Sequence, residues 1–138
     1  MDFTIILILA ILFVAIILLA LMSVTRRGKH GLDQEKYRIE WLKVENSLDK
    51  KDMPTYHLAI INADKLLDKA LRDIGLDGKT MGDRLKIAKS KFSDVNQVWT
   101  VHKLRNRIVH DTDVNISLMT AKKALYIYKK SLKELGAI

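Results

Sequence analysis

Residues Phe3 to Val24 read FTIILILAILFVAIILLALMSV, twenty-two consecutive positions without a charge. A chain carrying such a segment cannot be an ordinary water-soluble domain from end to end, because nothing in the run offers a polar face. As an α-helix, Phe3–Met22 rises ~30 Å, the thickness of a bilayer's hydrocarbon core. A cleaved signal peptide needs a basic leading region, a shorter apolar core and small residues at the cut. Here the leading region holds only Asp2, and nothing resembling A-x-A follows the run. A buried core helix is disfavoured by the unbroken length. The segment 1–25 is therefore expected to be an uncleaved single transmembrane anchor.

Charge sets its expected orientation. Arg26, Arg27 and Lys29 flank the C-terminal end, and Asp2 is the only charged side chain at the other. The positive-inside rule places the basic flank in the cytoplasm and the N-terminus outside, giving a single-pass protein of the inner (plasma) membrane. Residues 26–33, including Gly28-Lys-His-Gly31, read as a short basic joint, and residues 34–138 as the cytosolic domain. Without residues 1–27 the chain keeps 22 Lys+Arg against 15 Asp+Glu, a net +7. Such a domain is drawn to RNA or to anionic lipid head groups, which charge alone does not separate. The absence of cysteine excludes disulfides, thiolate chemistry and Cys-ligated metal centres.

The remaining sequence predicts an all-α fold, about five helices packed as an antiparallel bundle. Asp33 can cap a helix to about Leu48, with Tyr37, Trp41, Val44 and Leu48 at helical spacing. Lys50–Pro54 breaks it, and Pro54 suits the start of a second helix. That helix carries Leu58, Ile61, Leu66, Ala70, Leu71 and Ile74 and stops at Gly75. Thr80-Met-Gly-Asp83 resembles a capping box opening a short helix to about Lys89. Ser93 or Asp94 starts a fourth helix to about His110. Ser117 caps a fifth, with Leu118, Ala121, Leu125, Tyr128, Leu132 and Leu135 along it. About 110 residues build one modest core, so a homodimer is expected.

Chemistry concentrates in Trp99-Thr-Val-His-Lys-Leu-Arg-Asn-Arg-Ile-Val-His110. Val95, Val98, Val101, Leu104, Ile108 and Val109 define its apolar arc, and Arg105 falls inside that arc. A permanent guanidinium there must be paired or must face a cleft. His102, Asn106 and His110 are four apart on one edge. A cation beside imidazoles suits metal-free RNA transesterification, with His110 moving the proton, Arg105 holding phosphate and Asn106 orienting either. His102, Lys103 and Arg107 are the candidate anion contacts. No metal or cofactor is called for, since no carboxylate or His cluster looks like a metal box. Plainer readings stand beside these: Arg105 bridging to Asp64 or Asp68, His110 favouring a helix dipole, His102 packing at an interface, Trp41 and Trp99 in the core, and the lysine runs as solvated faces.

Arg105-Asn-Arg-Ile-Val-His110 resembles the Arg–His motif of the HEPN superfamily, with a four-residue gap and Asn106 as the polar residue after the arginine. Over roughly residues 34–135 the chain looks like small membrane-anchored HEPN-like bacterial proteins. The resemblance implies a helical bundle that dimerises so that two motifs face one cleft, with Arg105 on phosphate and His110 on the 2′-hydroxyl or leaving group. Toxin-type members continue His-x-Tyr, whereas this chain continues His110-Asp111-Thr112. The first functional expectation is accordingly a dimeric binding module at the cytoplasmic membrane face. The alternative is a metal-independent endoribonuclease.

Overall fold

The computed structural model describes residues 3–26, 31–48 and 52–138, so half of the expected joint (27–30) and the start of the Lys50–Pro54 break lie outside the described residues. The described chain is all-helical and divides into two units, residues 1–30 and 31–138.

The first unit is α1 (Phe3–Arg26), a single helix of 24 residues. Its stretch Phe3–Leu21 buries no residue against protein and is long and apolar enough to cross a membrane. Leu, Ile and Val lie on every side, so no face is left for a soluble core.

The second unit has α2 (Gln34–Asn46), α3 (Met53–Asp73), α4 (Met81–Ile87), α5 (Val95–His110) and α6 (Leu118–Glu134). Local chemistry sets most ends. The Asp33 side chain accepts from Lys36 N, Asp94 from Asn96 N and Gln97 N, and Ser117 from Thr120 N. Thr80 and Asp83 form a reciprocal capping box. Pro54 occupies the first turn of α3, where its missing N–H costs nothing. At the other end Gly75 takes φ 86°, and the N–H groups of Gly75 and Leu76 donate to Arg72 O and Leu71 O. That is the Schellman arrangement, open to glycine because it lacks a Cβ. The short third helix of the sequence reading ends at Ile87 and tightens into a 3₁₀ turn, Ala88–Lys91.

The spine is α3, which packs against α2, α4, α5 and α6. Ala59, Ala63 and Ala70 are fully buried on it, and their small side chains let neighbouring helices approach closely. Ile60, Leu67 and Leu71 fill the same stripe, facing Tyr128 and Leu132 of α6 within one continuous core. Three expected core positions, Leu58, Ile61 and Val109, are not in it, Ile61 being half-buried. Leu58 is 51% exposed, because it lies two residues from Ile60 and so about 200° round the helix. Val109 is 49% exposed although it shares the arc of Val98; it sits in the last turn of α5, where Arg107, His110 and the following residues are exposed as well. Trp99 is partly buried at the core's margin, whereas Trp41 is fully within it.

Candidate functional site

An acid inside an apolar stripe organises this bundle. Asp64 falls between Ile60, Leu67 and Leu71 on the inward face of α3 and is only 2% exposed. A carboxylate so placed needs several partners, and three helices supply them. Its Oδ1 accepts from Tyr128 Oη on α6 at 2.9 Å and meets His102 Nδ1 on α5 at 2.9 Å. Its Oδ2 lies 3.3 Å from Arg105 Nε. That last contact is an ion pair without hydrogen-bond alignment, since the buried Nε has no hydrogen-bond partner.

The network continues outward. Arg105 Nη1 donates to Asn106 Oδ1 at 2.9 Å, which turns the Asn106 amide nitrogen toward His102 Nε2 at a long 3.4 Å. A donor at Nε2 makes that ring nitrogen the acceptor and leaves the proton on Nδ1, where Asp64 receives it. These two contacts fix the orientation of the imidazole between α3 and α5. Trp99 meets the same ring edge to face, with centroids 6.0 Å apart. Burial, followed by the charge and hydrogen bond of Asp64, pushes the Tyr128 hydroxyl well above the usual phenol range.

One helix turn along α3, Asp68 anchors a second pair. Arg84 Nε and Nη2 grip its two oxygens at 2.7 and 3.1 Å, and Arg84 Nη1 donates to Gly78 O. Arg84 is 6% exposed and is the inward-facing cation of α4. The two carboxylates therefore immobilise two guanidinium groups side by side.

These pairs form the floor of a groove of about 650 Å³. It is bounded by Asp64, Lys65 and Asp68 from α3, by Lys79–Gly82 and Arg84 around α4, and by Trp99, His102, Lys103, Arg105 and Asn106 from α5. Lys65, Lys79 and Lys103 are exposed, and no ion pair holds them among the described residues. With Arg84 and Arg105 compensated by Asp68 and Asp64, these three lysines leave the groove positive. Among the described residues, no group of three or more His, Asp or Glu side chains comes together as metal ligands.

Of the sequence-derived candidates, Arg105, Asn106, His102 and Lys103 meet in this groove, while His110 and Arg107 are not among its lining residues. Five residues turn a helix by about 140°, so Arg105 faces Asp64 while His110 stands exposed at the end of α5. Arg107 is exposed and lies 3.8 Å from Asp111. Asp64, Tyr128, Lys65, Lys79 and the Arg84–Asp68 pair were not among the predicted site residues. Their signal was legible as charge on an apolar stripe: Asp64 interrupts Ile60–Leu67–Leu71, and Arg84 interrupts Met81–Leu85–Ala88. No family model matches the chain, and no curated protein or solved structure does either.

Proposed function

We propose that this chain is a membrane-anchored, HEPN-like helical domain at the cytoplasmic face of the plasma membrane, acting as a dimeric module that binds an anionic partner through the α3–α4–α5 groove. The observation that carries this reading is the charge arrangement of the groove. Its two arginines are already neutralised, one by the buried Asp64 and one by the half-buried Asp68, and among the described residues Lys65, Lys79 and Lys103 have no ion pair around it. Fixed ion pairs beneath exposed lysines suit recognition of negative charge more than turnover. The cytoplasmic orientation is supported by Arg26, Arg27 and Lys29 beside the apolar segment.

The test uses the full chain in zwitterionic nanodiscs and a fluorescein-labelled single-stranded RNA as the anionic probe, followed by anisotropy at low and high salt. Lys65→Gln, Lys79→Gln and Lys103→Gln together should weaken binding at least tenfold and flatten its salt dependence. Lys86→Gln, away from the groove, should not. Equal affinity of the triple variant and the parent would defeat the proposal.

The second reading, a metal-independent endoribonuclease, draws on one observation. His110 is exposed and makes no hydrogen bond or ion pair among the described residues, which leaves its imidazole free for proton transfer. In it Arg105 holds the phosphate and Asn106 the ribose. Cleavage of the same RNA in EDTA, lost in both Arg105→Ala and His110→Ala, would replace the binding reading with this one.

A further inference from the structure

A second basic surface lies on other helices, where side chains of α2 and α6 meet. Met119, Lys122, Tyr126, Lys129 and Lys133 recur at i, i+3, i+7, i+10 and i+14, one stripe of α6. Met119 is 78% exposed, Tyr126 66%, and Leu42 on the facing part of α2 54%. Two hollows of about 390 and 400 Å³ adjoin there and share Trp41, Glu45 and Lys129. Glu45 is the one acid lining either hollow, and Lys129 holds it at 2.6 Å. Among the described residues Arg38, Lys122 and Lys133 make no ion pair within 4 Å, although Lys133 adds to the field of Lys129 on Glu45, and they stand around exposed apolar side chains.

We propose that this α2–α6 face is a bilayer-contact surface that rests on anionic phospholipid head groups. The inference builds on the anchoring reading and is separate from the groove. A tyrosine, a leucine and a methionine ringed by lysines match the interfacial layer, where apolar bodies enter the acyl boundary and long cationic stems reach up to phosphate. A second copy of the chain is a poor occupant, since a two-fold contact would set the same cations against one another. Proximity favours the bilayer. Seven residues separate Arg26 from Gln34, a covalent reach of no more than ~30 Å. The Arg38–Lys133–Ile138 end of the face lies at the start of α2, where Gln34 Nε2 donates to Gly136 O at 3.1 Å. The covalent reach thus permits this end of the face to meet the lipid.

The absence of cysteine permits single-site labelling of the full chain. Tyr126→Cys and, as the control in the α3–α4 loop, Asp77→Cys would each carry a spin label. Discs loaded with one chain apiece would be of phosphatidylcholine alone or contain about one-third phosphatidylglycerol. In the anionic discs, collision of the residue-126 label with a water-soluble nickel chelate should fall several-fold. High salt, or Lys122→Glu with Lys133→Glu, should restore it, and the residue-77 label should not respond. A residue-126 label equally open to nickel in both discs overturns the proposal, as does equal protection in both that salt leaves unchanged. Chains that fail to co-elute with the discs would instead overturn the anchor itself.

Discussion

Replacing Asp64 by asparagine tests whether the buried carboxylate is the joint of α3, α5 and α6. The substitution keeps the shape and removes one charge and one acceptor. Asp64 now accepts from Tyr128 and His102 on Oδ1 and faces Arg105 on Oδ2. Asparagine can keep the Oδ1 pair, but its amide N–H groups then point at the Arg105 guanidinium, donor against donor. Breaking a buried ion pair on one side typically costs 3–5 kcal/mol. The Arg105 side chain is 25% exposed, so water screens part of its stranded charge and the figure drops to about 2–4 kcal/mol. Tyr128→Phe should cost less, about 1–2 kcal/mol, because the carboxylate keeps His102 and Arg105. Since both changes act on one oxygen network, the double variant should be less destabilised than the sum, by at least ~0.5 kcal/mol. Urea unfolding of residues 31–138, whose core is drawn entirely from its own residues, measures all three. Asp64→Asn within ~0.5 kcal/mol of the parent, or strict additivity with Tyr128→Phe, would refute the shared network.

Two further outcomes follow from the same packing. Tyr128 and Tyr37 are both buried, and burial together with Asp64 and Asp73 respectively raises their hydroxyls far above the phenol range. Unfolded tyrosine loses its proton near pH 10 while the folded groups keep theirs. Above ~10 the unfolded state therefore binds fewer protons, and each tyrosine removes up to ~1.4 kcal/mol of stability per pH unit. Melting temperature should fall from about pH 9 to about pH 11, and Tyr37→Phe and Tyr128→Phe should each reduce the fall; an unchanged slope in both would disprove the cause. Arg84→Met should cost about 2–3 kcal/mol in urea unfolding, because it strands the Gly78 carbonyl and leaves Asp68 only the looser 3.6 Å contact with Arg72. A loss below ~0.5 kcal/mol would show the pair to be incidental.

What could be read from the chain beforehand was what a helix decides with its own neighbours. Asp33, Thr80 with Asp83, and Ser117 cap as expected, and Asp94 is the cap of the Ser93–Asp94 alternative, because each acts within three residues of itself. The apolar run of α1 and the end of α3 at Gly75 are equally local. The pairing of acids with arginines was not. A helical wheel placed Arg105 inward and offered Asp64 or Asp68 as partner, but the choice depends on a third helix: Arg84 of α4 takes Asp68, leaving Asp64 to Arg105. Tyr128 reaches Asp64 across 64 residues of sequence and His102 across 38, separations at which spacing says nothing about contact. Val109 shows the same limit from the other side, since a wheel has no ends and cannot tell where a helix outruns its neighbours. The Arg105–His110 spacing is likewise a property of one helix, whereas the groove belongs to three. The carboxylates that orient its arginines, more than the motif itself, therefore decide which cations stay unpaired in it.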